Sequence, residues 1–217
     1  MAAIALPAVL GAVGAFGLRS LPVTFLLYGV GGCLLAPWLL LGARPFSSRG
    51  GLPFAPTPSR LWRAELILGL VFGPIFLALY LIVRPWLGAI TDYQSRITAL
   101  GIDLHEPTAL LVTFAVFNPL LEEWWWRGHA TPRCCEAFGR RGGLALVTAG
   151  FGAYHLVLLG ALFPLPVLLI RVVLIAATSV LWSHLALRRS SWRAAYVAHL
   201  AADLAMVVLF VKVVLPQ

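Results

Sequence analysis

The stretch TALLVTFAVFNPLLEEWWWR, residues 108–127, carries no charge until Glu122, Glu123 and Arg127 arrive together at its end. A helix needs about 20 mostly apolar residues to cross the ~30 Å hydrocarbon layer of a membrane, so this stretch reads as a span with ionisable groups at one end. Working outward, six further apolar runs (3–18, 21–41, 64–83, 144–163, 166–187 and 194–215) are separated by clusters of charge, Pro and Gly. Of the 217 residues, 61% are hydrophobic and 11% charged, and the mean hydropathy is +0.93. A soluble domain carries about a quarter charged residues, so a soluble globular fold is excluded. The expected fold is all-α: a polytopic helical membrane protein of about seven transmembrane helices. It forms one integral membrane domain over residues 1–217, with core helices in 108–215.

The first run is the short one, since 16 residues at 1.5 Å each reach only ~24 Å. Its Gly11, Gly14 and Gly17 suit close helix packing. The opening MAAIALPAVL has no basic segment ahead of the apolar one, so a retained first span is expected rather than a cleaved signal peptide. No internal repeat or low-complexity tract is visible, and residues 43–63, rich in Pro and Arg, read as one interfacial loop.

The net charge of +8 does not point to nucleic acid, because the arginines fall between apolar runs and not in one patch with aromatics. They read as topology signals. With the N-terminus inside, Arg44, Arg49, Arg60, Arg63, Arg127, Arg133, Arg140, Arg141, Arg188, Arg189 and Arg193 all fall on the cytoplasmic side, as the positive-inside rule requires. The opposite side holds Asp92, Asp103 and Glu106, with Arg96. Trp38, Trp62, Trp86, Trp124, Trp125, Trp126 and Trp192 fall near span ends, where aromatic belts form. Arg outnumbers Lys 15 to 1, as in GC-rich coding sequence, so the expected location is a bacterial cytoplasmic (inner) membrane. Cys33, Cys134 and Cys135 match neither a disulfide framework nor a CxxC metal pattern.

An ionisable side chain within a span costs at least ~2.5 kcal/mol and calls for a reason. Three short patterns supply candidates. In EExxxR, Glu123 and Arg127 are i,i+4 neighbours able to pair, which leaves Glu122 free beside Asn118 one turn earlier. Pro119 releases a backbone carbonyl and opens space near the carboxylates. In FxxxH, Phe151 and His155 share a face, with His155 about 16 Å from the start of its run. In HxxxD, His199 and Asp203 share a face, with Asp203 about 14 Å into its run, too deep to snorkel comfortably. Antiparallel threading places all of these in the cytoplasmic half. A carboxylate, two imidazoles and a further carboxyl in a partly dry cavity are the groups needed to activate water and stabilise an oxyanion. Arg84, Arg171 and Lys212 read as snorkelling residues, His184 as interfacial, and His105 and His129 as loop residues.

The order EExxxR, FxxxH, HxxxD on successive spans resembles the CAAX-protease and bacteriocin-processing (CPBP) family of intramembrane endopeptidases, over about residues 108–215. The resemblance implies hydrolysis of a peptide bond near the C-terminus or membrane segment of a protein or peptide substrate. It also implies roles: Glu122 as the base on water, His155 as its partner, Glu123 and Arg127 as supports, and His199 with Asp203 at the oxyanion. Prenyl-protein members similar to this pattern carry Asn where Asp203 stands. Asn donates a hydrogen bond unconditionally, whereas Asp donates only when protonated or else orients His199 by accepting.

A metal-free glutamate mechanism is favoured, with a divalent metal such as zinc as the alternative. Glu122, His155 and His199 would make a His and carboxylate zinc set, but no HExxH is present. Two rival readings are a proton-coupled transporter, since intramembrane Glu, His and Asp form proton relays, and an inactive immunity-type scaffold on the same fold. Transporters usually show matching halves, and none is visible here.

Overall fold

In lipid every backbone N–H and C=O must be paired within the protein, which leaves helices as the solution for apolar runs of this length. A computed structural model of the chain describes residues 2–42, 59–86, 90–189 and 191–215, and every described apolar run in it is helical. The helices are α1 (Ala3–Gly17), α2 (Leu21–Leu41), α3 (Ser59–Val83), α4 (Ile90–Ala99), α5 (Thr108–Gly160), α6 (Leu165–Arg189) and α7 (Arg193–Val214). No strand occurs among the described residues. The protein is therefore an all-α polytopic membrane protein. Among the described residues four helices, α2, α5, α6 and α7, are long and apolar enough to cross a membrane, while α1 and the apolar part of α3, Gly69–Ile82, are shorter.

α5 is one helical run of 53 residues folded back on itself. At Gly139 the backbone leaves the helix with φ 71° and ψ 166°, a conformation that disfavours any Cβ. Gly143 then packs on the backbone of Cys134 and Cys135, and Gly150 packs on the ring of Trp126. The two arms are thus antiparallel neighbours. Glu122 precedes Gly139 by 17 residues and His155 follows it by 16, so the fold brings both to one level. α7 lies on the other side, with Gly69 of α3 against Val197 and Gly73 against Ala201. α1 and α2 complete the group: Gly14 abuts Thr24, Gly32 abuts Pro7, and Ile4 meets Gly150.

Several expectations change. The fourth span does not end at Trp126; the helix runs on towards Gly139, and His129 is a buried helical residue, 5% exposed, rather than part of a loop. Trp124, Trp125, Trp126 and Trp192 are core residues at 0%, 1%, 0% and 1% exposure, not an interfacial belt. The indole N–H of Trp126 donates to Tyr28 Oη at 3.1 Å, which gives a buried indole the partner it needs. The connection carrying Asp92 and Arg96 contains α4, too polar to register as a span, and its Ile97 is buried. Residues 43–58 of the Pro- and Arg-rich stretch, with Arg44 and Arg49, lie outside the described residues, as do the side chains of Arg60, Trp62 and Trp86.

Candidate active site

The first arm of α5 is not a uniform helix. Pro119 has no N–H to donate, and its ring crowds the carbonyl one turn back. The preceding turn widens, and the Asn118 N–H bonds to Thr113 O, five residues away. A second wide turn follows at Trp126–Ala130, where the Thr131 N–H reaches Trp126 O. The Thr131 hydroxyl also donates to that carbonyl at 2.7 Å. Such widened turns re-aim the side chains between them and recur at functional sites. Between the two, Glu122, Glu123 and Arg127 are 0%, 0% and 2% exposed.

Glu122, Glu123, Arg127, His199 and Asp203 converge, Phe151 joins them under the Arg127 guanidinium, and His155 bonds within its own helix. Asn118 Nδ2 donates to Glu122 Oε1 at 3.0 Å. Arg127 Nη1 donates to Glu123 Oε1 at 2.9 Å, and His199 Nδ1 meets the same oxygen at 2.8 Å. His199 Nε2 lies between two other carboxylate oxygens, 3.9 Å from Glu122 Oε2 and 3.7 Å from Asp203 Oδ1. A carboxylate only accepts, so His199 Nδ1 carries a hydrogen; the contact with Glu123 sets this tautomer and the ring's orientation. His155 Nδ1 is 2.9 Å from the carbonyl of Phe151, which also only accepts. Its Nδ1 is therefore the protonated nitrogen, and Nε2 of the neutral ring presents a lone pair.

The charges are held by aromatic faces as well as by each other. The Arg127 guanidinium lies 4.3 Å from the ring centroid of Phe151 and 5.3 Å from that of Trp182. Trp182 in turn packs on His199 at 4.8 Å. Removing water from a charge costs several kcal/mol, so a buried cation needs this combination of carboxylate and π faces. Glu122 Oε2, Glu123 Oε2 and Asp203 Oδ2 are buried and make no hydrogen bond among the described residues, but only Glu123 has its other oxygen shared by Arg127 and His199. The Glu122 and Asp203 oxygens keep their lone pairs for a reacting group.

Tyr28 on α2, Tyr154 beside His155, and Trp182 on α6 were not singled out by the sequence reading. A Tyr or Trp deep in an apolar run is a signal of the same kind as a charge, since its polar tip needs a partner. His184 stays apart from the site, its ring 2.8 Å from Arg140 on the exposed side. Among the described residues no group of three His, Cys, Asp or Glu is arranged to hold a metal ion. Both histidines hold Nδ1 on an oxygen, His199 on Glu123 and His155 on a carbonyl, and keep Nε2 for a further partner. An apolar groove of about 510 Å³ runs between α2 and α5, from Asp103 and Glu106 past Phe25 and Gly29 to Asn118 and Leu121.

Residues 104–205 match the family model described as type II CAAX prenyl endopeptidase Rce1-like. The matched segment contains all three motifs and bears out the resemblance drawn from them, to intramembrane endopeptidases of the CAAX-protease type. Comparison with curated proteins and with solved structures returned no match.

Proposed function

We propose that the chain is an intramembrane endopeptidase in which Glu122 activates water to hydrolyse a peptide bond near the C-terminus or membrane segment of a protein substrate. The observation that carries this reading is the asymmetry of Glu122. One oxygen is fixed by Asn118 at 3.0 Å, and the other is buried, unbonded and near His199 Nε2. A carboxylate so held is a positioned base. The Nε2 lone pair of His155 accepts from the attacking water, Glu122 Oε2 takes its proton, and the new oxyanion forms on the side of His199 and Asp203. Glu123 supports the reaction indirectly, since its Oε1 joins Arg127 and His199. No step requires a metal.

The substrate is a membrane-associated protein or peptide, and the groove ending at Asn118 suits its apolar flank. The Arg133, Arg140 and Arg141 cluster around the reversal at Gly139 is exposed. By the positive-inside rule it faces the cytoplasm of a bacterial inner membrane, and the groove enters from the opposite side, at Asp103 and Glu106. Cys135 therefore resists a membrane-impermeant thiol reagent applied to intact cells. The function is tested by reconstituting the protein in liposomes with a library of C-terminal membrane peptides and reading the products by mass spectrometry. New termini beside apolar segments are expected. Intact peptides together with substrate-driven proton flux would favour a transporter, and intact peptides alone would favour an inactive scaffold.

A further inference from the structure

Tyr154 is 1% exposed, and its hydroxyl makes no hydrogen bond among the described residues. A phenol buried in an apolar fold without a partner is costly and calls for a reason. Its ring is fixed on three sides. Tyr28 stacks on one face with the planes 3° from parallel, His155 meets it edge-on at 4.9 Å, and Gly11 presses on its edge. Tyr28 is itself anchored, because its oxygen accepts the indole N–H of Trp126 at 3.1 Å. The hydroxyl therefore has one direction rather than many. Its neighbour His155 bonds to the carbonyl of Phe151, whose ring carries the Arg127 guanidinium at 4.3 Å, so the phenol lies at the edge of the charged cluster.

Among the described residues Arg127 Nε and Nη2 and Trp182 Nε1 are also buried donors without a hydrogen bond, but the guanidinium is turned to the faces of Phe151 and Trp182. The hydrogen on His155 Nδ1 is engaged by a carbonyl, that on His199 Nδ1 by Glu123, and Arg127 Nη1 by Glu123. A neutral O–H donor needs no proton exchange to serve an oxygen on which negative charge develops. We propose that Tyr154 is a further catalytic residue, its Oη–H donating to the carbonyl oxygen of the scissile bond as that oxygen becomes an oxyanion. Tyr28, outside the family-matched segment, is then a positioning residue that holds the Tyr154 ring. The inference rests on the endopeptidase reading above. Water oxygen bonds to the carbonyl carbon, its proton passes to Glu122, and the carbonyl π pair moves to the oxygen that Tyr154 holds. That pair then returns, the C–N bond breaks, and Glu122 gives the proton to the leaving amine.

The test uses the full chain in liposomes, with a peptide that the wild type cuts. Tyr154→Phe keeps the ring and the stack and removes only the O–H. It is expected to lower kcat by about 10²-fold, with KM and melting temperature unchanged, as for loss of one oxyanion donor. A kcat within about threefold of wild type would overturn the role. Should Tyr154→Phe not fold, 3,5-difluorotyrosine at position 154 keeps the shape with a more acidic phenol. The alkaline limb of the kcat profile then moves to lower pH, and an unmoved limb overturns the role. A wild type that cuts no peptide overturns the endopeptidase reading and this role together, whereas full-rate cutting by Tyr154→Phe overturns the tyrosine alone.

Discussion

Residues 2–42 and residues 104–205 pack directly against one another yet are held together by different physics. In the first region the contacts are close approaches of backbone, Gly14 on Thr24 and Gly32 on Pro7, and the one charged side chain, Arg19, is exposed. In the second, buried charges sit in a fixed network, with Glu123 joining Arg127 and His199, and Asn118 holding Glu122. The family match covers the second region only. The difference teaches that chemistry constrains residue identity at named positions, whereas helix packing constrains only size. The first region nevertheless contributes Tyr28, the aromatic platform under Tyr154.

Three substitutions and one control sharpen or break this comparison. The largest effect is expected from Arg127→Ala, which leaves Glu123 buried beside His199 without its cation. Breaking a buried ion pair from one side costs about 3–5 kcal/mol, so the yield of folded protein in detergent should collapse. An unchanged melting curve would show that the network contributes no stability. Next comes Gly14→Leu in the first region, where even a Cβ would lie 2.5 Å from Thr24 Cα. Forcing the backbones apart should cost about 1–3 kcal/mol and lower turnover by displacing Tyr28. Gly17→Ala, with nothing within 4 Å, is the control expected to be silent in both readouts. The smallest effect is expected from Asp203→Asn. The ring of His199 is oriented by Glu123 at 2.8 Å, while Asp203 lies 3.7 Å from its other nitrogen. Asn is a permanent donor, so turnover should stay within about tenfold and extend to higher pH. Inactivity of a well-folded Asn variant at every pH would make Asp203 an essential acceptor instead.

The helical membrane fold was legible because each apolar run is long and its breaks are charged, which is what a bilayer demands. The pairing of Glu123 with Arg127 and the neighbourhood of Asn118 and Glu122 followed from i,i+4 spacing alone. What escaped the sequence has physical causes. Trp124, Trp125 and Trp126 looked interfacial because Trp suits both belts and cores, and only the neighbours Tyr28 and Phe151 decide between them. The run past Trp126 to Gly139 was hidden because its residues are polar and helical at once, a combination that hydropathy scores as a loop. The contact of His199 with Glu123 joins residues 76 positions apart, and no local spacing reports it.

The central claim is that Glu122, and not its neighbour Glu123, supplies the base. The most direct measurement is single-turnover cleavage of one peptide in liposomes by wild type and Glu122→Gln, with folding of the variant checked by its melting curve. The isosteric amide keeps the shape of the site and removes only the proton acceptor. The expected result is a folded variant whose rate falls by at least ~10²-fold. A folded Glu122→Gln that cleaves at the wild-type rate would contradict the account.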